Sequence, residues 1–234
     1  MKPKLTTLLL AIASVTSLAG CAYEQVTYRF RLSVEIFCGG KSHIGSSVYE
    51  VSSGKRPSLQ GGSMSYRVVS GDAVAVDLGS CGKVFILLRG PQPGDEGLYR
   101  NTTDTLLSAA FKDKIVDIGK SDPSLPIDRL IPKLTGKGDL KPSSLPMIVA
   151  FKDINDPKTM RKIDPSNMVS LGKDAYLERS YLEITTEPPT RGLERTLIWL
   201  PTADWLRLYQ DTFPPVTPSD FVDRQYFYKH IIMR

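Results

Sequence analysis

Histidine, cysteine and long apolar runs are all scarce in this chain. In 234 residues there are two histidines, His43 and His230, three cysteines and two tryptophans. Two cysteines and two histidines so far apart make a poor zinc constellation, and a histidine base has only two candidates. The uncharged run over residues 5–17 would reach about 20 Å as a helix. That falls short of the roughly 30 Å hydrocarbon core, so a permanent spanning helix is disfavoured. No repeat, low-complexity tract, dense basic run or Gly-x-Ser-x-Gly elbow is present. A nucleic-acid partner and an elbow-type hydrolase are therefore not expected.

What is present begins at the amino terminus. Met1-Lys2-Pro3-Lys4 forms a basic head, the short apolar run follows, and Leu18-Ala19-Gly20-Cys21 closes the segment. The lengths fit a signal peptide over residues 1–20. Leu18 to Cys21 resembles the lipobox of bacterial lipoproteins. The resemblance implies cleavage before Cys21, a diacylglyceryl thioether on its sulfur and usually an acylated amino terminus. Two or three acyl chains anchor stably where one does not. Ala22 at the following position favours the outer membrane under enteric-type sorting. The alternative is an ordinary secreted protein cleaved at one of the small residues Ala13, Ser14, Ser17, Ala19 or Gly20.

Removing the first 20 of 234 residues leaves 214, enough for one large or two small domains. Hydrophobic content of 41% and charged content of 24% are globular values. Lys2 and Lys4 leave with the signal, so the balance falls from +5 to +3, 28 basic against 25 acidic side chains. With Cys21 committed to lipid, Cys38 and Cys81 remain as one possible disulfide, worth on the order of 4 kcal/mol for so long a loop. Two buried free thiols are the alternative.

Residues 26–36 alternate Tyr28, Phe30, Leu32, Val34 and Ile36 against Arg29, Arg31, Ser33 and Glu35, the period of a half-buried strand. Residues 38–42 break the pattern, 44–51 resume it as a hairpin partner, and 54–62 read as a loop. Further strands are expected at 64–69, 73–78 and 84–88, and a short helix at 103–111. Five prolines over 121–146 exclude a long regular element there. The second half offers strands at 147–151, 176–186 and 195–200, a turn at 153–157, a helix at 201–209 and an aromatic tail at 221–233. The expected fold is mainly β, a β-rich α+β arrangement of antiparallel sheets with a few short helices. A tether of residues 21–25 leads to an N-terminal β-rich lobe, 26–120. The proline-rich connection, or the seam between two lobes, covers 121–146, and a C-terminal β-rich lobe covers 147–234.

Tyr28-Arg29-Phe30-Arg31-Leu32-Ser33-Val34-Glu35, Gly45-Ser46-Ser47-Val48, Ala73-Val74-Ala75-Val76-Asp77-Leu78 and Phe151-Lys152-Asp153-Ile154-Asn155-Asp156-Pro157 resemble a group of alphaproteobacterial proteins without an assigned activity. The resemblance implies the domain boundaries and no catalytic residue.

Chemistry-bearing motifs are few. Ser52-Ser53-Gly54-Lys55 has Ser-x-x-Lys spacing but reads as a loop rather than a helix start. Gly119-Lys120-Ser121 lacks the earlier glycine of a phosphate loop, which would fall at Lys114. Asp153, Asp156 and Asp164 suit turns better than a calcium loop. Glu183, Glu187 and Glu194 are carboxylates of the kind any protein this size carries. Trp199, Trp205 and Tyr209 are the candidate binding residues, lining a groove or simply facing a core. No catalytic residue, metal or cofactor is expected. The expected protein is a non-catalytic, membrane-proximal binding or structural module of the cell envelope. It would face the periplasm on a lipid anchor, with an envelope protein or glycan as partner. An envelope hydrolase of peptidoglycan, ester or peptide substrates is the alternative.

Overall fold

The computed structural model describes residues 25–57, 63–87, 102–121, 127–201 and 230–233. Strand β1 (Val26–Cys38) follows the alternation closely. Tyr28, Phe30, Leu32, Val34, Ile36 and Cys38 are buried, while Arg29, Arg31 and Glu35 lie on the opposite face, half-buried. The chain reverses at Gly39-Gly40, whose φ values of 63° and 77° suit glycine in a two-residue hairpin turn. Strand β2 (Lys41–Pro57) then pairs with β1 along its full length, from Cys38↔Lys41 to Val26↔Ser53.

The remaining strands are β3 (Ser63–Ser70), β4 (Val74–Asp77), β5 (Lys83–Ile86), β6 (Lys137–Asp139), β7 (Ile148–Phe151), β8 (Met160–Ile163), β9 (Tyr176–Ile184) and β10 (His230–Met233). Helices α1 (Thr102–Ala110), α2 (Lys112–Ser121) and α3 (Ile127–Leu130) sit between β5 and β6. The strands form two sheets of order β10-β3-β2-β1-β9-β6 and β4-β5-β7-β8, with every pairing antiparallel. The protein is thus mainly β. The segments read as N-terminal and C-terminal lobes are interleaved, for β9 lies beside β1 and β7 beside β5. Non-local pairing of this kind leaves no local trace in residue patterning.

The main core lies on the inner face of the six-stranded sheet. Part of that face meets β4 and β5 through Val74, Val76, Leu78, Val84 and Ile86; Leu106, Leu107 and Phe111 from the α1 region join the same core. The sheets approach closely at Gly45 of β2, where a Cβ would stand 2.3 Å from the Ala75 carbonyl oxygen. A second, smaller core of Phe85, Leu87, Val149 and Met147 lies under Leu193, Leu197 and Leu200. The outer face of the large sheet is a ladder of ion pairs, Arg29–Glu50 at 2.6 Å and Arg31 with Glu183 and Glu187 among them. Exposed pairs of this kind contribute about 0–1 kcal/mol each.

Three expectations are corrected. Residues 195–200, read as a strand, form a 3-10 turn at Leu193–Arg195 followed by further turns. The buried residues there are Leu193, Leu197 and Leu200, a spacing of four and three rather than two. Residues 54–57 of the loop expected over 54–62 are strand, because β3 pairs with β2 out to Pro57↔Ser63, and residues 58–62 lie outside the described residues. Ser52 to Lys55 is therefore strand. Elements α2, α3, β6, β8 and β10 were not expected; all but α2 span only three or four residues, too short for a periodic signal. The helix expected at 201–209 lies outside the described residues except for Pro201.

Cys38 and Cys81 are bridged, joining the end of β1 to the Gly79–Cys81 turn between β4 and β5. Gly172 closes over the bridge, leaving room for no Cβ, which would stand 2.7 Å from Cys38 Sγ. The bridge closes a loop with a sequence separation of 43. Its reduction is expected to lower unfolding free energy by about 4 kcal/mol in urea titrations; a loss under about 1 kcal/mol would mean that packing alone closes the loop. Gly45→Ala is expected to cost about 1–3 kcal/mol through overpacking. Ser46→Ala, exposed and next to it, should stay within about 0.5 kcal/mol.

Candidate functional site

Two turns of the four-stranded sheet create a concavity. The first connects β4 to β5. Asp77 accepts the Gly79 N–H at 3.0 Å and pairs with Lys83 at 3.0 Å, while the Leu78 N–H donates to the Gly82 carbonyl at 2.8 Å. Gly79 and Gly82 hold φ values of 62° and 90° that other residues rarely adopt. The second turn follows β7. Thr159 Oγ1 accepts the Asp153 N–H at 3.0 Å and donates to the Asp156 carbonyl at 2.7 Å, folding residues 153–156 back. Because β5 and β7 are neighbours, these turns face one another across an open groove of about 380 Å³. Asp77, Gly79, Gly82, Lys83, Phe151, Lys152, Asp153 and Ile154 line it.

The groove is supported from behind. Phe151 packs edge-on between Phe85 and Trp199, at centroid distances of 5.7 and 5.5 Å. Trp199 Nε1 donates to the Ile154 carbonyl at 2.7 Å. Of the three binding candidates, Trp199 packs against the second core and holds Phe151 and Ile154 from behind, without lining the groove itself. Trp205 and Tyr209 lie outside the described residues, as does Cys21.

Trp199 belongs to a strap, residues 190–200, that is fastened at its other end. The Thr190 N–H donates to the Val48 carbonyl at 3.0 Å, and Thr190 Oγ1 accepts the Val48 N–H at 2.9 Å. Asp72, 3% exposed, accepts the Leu193 N–H at 2.9 Å, and its own carbonyl accepts from Ser47 Oγ at 2.6 Å. Burial pushes the Asp72 carboxyl above its ordinary value, helped by nearby Glu194 and opposed by the backbone donors and Arg191. Asp77 behaves oppositely: the Gly79 N–H and then Lys83 hold it below the usual carboxylate range.

The other sequence candidates have local partners. His43, half-buried, directs Nε2 to the Cys38 carbonyl at 3.3 Å, across its own hairpin. His230 lies in β10 opposite Val69, and its side chain is outside the described residues. Ser52 bonds Thr27 across the strands at 3.0 Å. Lys120, in the last turn of α2, pairs with Asp117. Asp153, Asp156 and Asp164 each accept the N–H two residues ahead, from Asn155, Lys158 and Ser166. These are turn-forming carboxylates. Glu183 and Glu187 pair with Arg31. Asp174, which sequence reading passed over, accepts the Gly39 and Gly40 N–H groups and closes the hairpin tip; those donors hold it low.

No family model, curated protein or solved structure matches the chain.

A raised folded-state value means that the folded protein binds the Asp72 proton more tightly than the unfolded chain does. The stability contribution of Asp72 therefore falls as pH rises from 3.8 through the raised folded value. Asp72→Asn keeps an acceptor for Leu193 without a charge, and is expected to flatten that slope in melting curves taken across pH. Asp72→Ala strands the Leu193 N–H and is expected to cost about 1–3 kcal/mol. A slope unchanged in Asp72→Asn would refute the assignment.

Proposed function

We propose that this chain is a lipid-anchored cell-envelope module, tethered through Cys21, that binds a small ligand or an envelope partner in the groove without transforming it. The observation carrying this reading is the groove itself, built from two locked turns beside a disulfide. Folding completes its shape, so a ligand need not order it, as suits a binding site. A bridged cysteine pair fits an oxidising, exported compartment. Among the described residues no helix is long and apolar enough to cross a membrane. In this reading attachment is through the lipid on Cys21. The Ala22 position favours the outer membrane with the module facing the periplasm. The partner is a protein or glycan of the envelope, and no nucleic acid is involved.

The hydrolase alternative asks His43 to activate a serine or a water. Its ring is instead directed to a carbonyl of its own hairpin. No observation on the described residues favours that alternative.

Cys21→Ser is expected to shift the protein from the membrane fraction to the soluble fraction, or to leave it unprocessed. Fractionation with the mature mass measured checks both, and unchanged processing with unchanged membrane association overturns the anchor.

A further inference from the structure

The two ends of the Cys38–Cys81 bridge are buried to different depths. Cys38, the last residue of β1, has no exposed surface. Gly172 packs so tightly on its sulfur that a Cβ would stand 2.7 Å from Cys38 Sγ. Asp174 Oδ1 lies 4.0 Å from the same sulfur, and the carboxylate is fixed there by the Gly39 and Gly40 N–H groups. Residues 172–174 and the hairpin tip thus seal Cys38.

Cys81 is only partly covered. It ends the Gly79–Cys81 turn, and its neighbours Gly79, Ser80 and Gly82 are all exposed. A Cβ on Gly39 would lie at ordinary contact distances, 3.8 Å from Cys81 Sγ and 3.4 Å from Ser80 Oγ, so that glycine leaves a methyl-sized space beside the sulfur. A Cβ on Gly82 would meet nothing within 4 Å. A carbon therefore fits against Cys81 Sγ at Gly39, whereas none fits against Cys38 Sγ at Gly172. Access decides which sulfur of a disulfide an external thiol attacks.

We propose that Cys81 is a thiol-exchange site, at which a small aliphatic thiol opens the bridge in the folded protein and stays attached to the groove rim. The incoming thiolate attacks Cys81 Sγ. A new S–S bond forms there as the Cys38–Cys81 bond breaks, and the electron pair of the broken bond leaves on Cys38 Sγ. The attacking sulfur is oxidised to a mixed disulfide, Cys38 is reduced, and water supplies the proton of its thiol. Asp174 Oδ1 is placed to accept that S–H. The β4–β5 turn keeps its own bonds, from the Leu78 N–H to Gly82 and from the Gly79 N–H to Asp77, so the rim persists while its covalent link to β1 is cut. The adduct then stands next to Gly82, which lines the groove. The inference is independent of what the groove binds.

2-Mercaptoethanol tests the direction of opening. The chain carrying Cys21→Ser, which removes the competing thiol, is treated without denaturant and quenched with acid at low conversion, before a second thiol displaces the adduct. It is then unfolded with N-ethylmaleimide and mapped by peptide mass. The mercaptoethanol adduct is expected on Cys81 and the maleimide on Cys38, with the reverse pattern at least about tenfold rarer. In urea, where the seal is gone, the two sulfurs should carry the adduct in like amounts. Adduct chiefly on Cys38, or shared equally in the folded chain, overturns the assignment. So does a bridge that stays closed, or one that opens only as fast as the chain unfolds.

Discussion

Asp72 is the point at which the fold is tied together. It lies on the short crossing from β3 to β4, where the chain leaves one sheet for the other. Its main chain is gripped by Ser47 of the large sheet, and its side chain grips the strap that covers the small one. Gly71 beside it approaches the Val48 carbonyl so closely that a Cβ would stand 2.6 Å away. A buried carboxylate is costly unless its lone pairs are met. The donors that meet this one, from Leu193 and Gly192, exist only when the strap is seated. The penalty of burial is thereby converted into a requirement for one arrangement of three layers.

The parts that were legible in the residues, and the parts that were not, divide along the same lines. The alternation of β1 is visible because both of its faces are used, one apolar and one charged. With Cys21 set aside, Cys38 and Cys81 could be read as one disulfide or as two buried free thiols, and only the structure brings them together. The role of Asp72 has no such signal. Between Gly71 and Ala73 it reads as an ordinary turn residue, and its partner Leu193 lies 121 positions away. The strap did carry a signal, the spacing of Leu193, Leu197 and Leu200, but Arg195 to Leu200 also alternates weakly and was read as strand. The groove was illegible for a further reason. Each of its turns is locally commonplace, and only the pairing of β5 with β7 brings them together.

The groove is shallow but held from several sides. Its aromatic wall is held by ring packing and a tryptophan N–H, and its rim by glycine torsions and a covalent bridge nearby. None of these supports depends on the side chains that a ligand would touch with charge.

The length of β1 gives the arrangement a scale. Its 13 residues rise about 40 Å in all at roughly 3.3 Å each. Its last residue is bridged to the turn that forms the groove rim, the full length of the strand away from its first. The groove therefore stands at the end of β1 opposite to where the chain enters the large sheet.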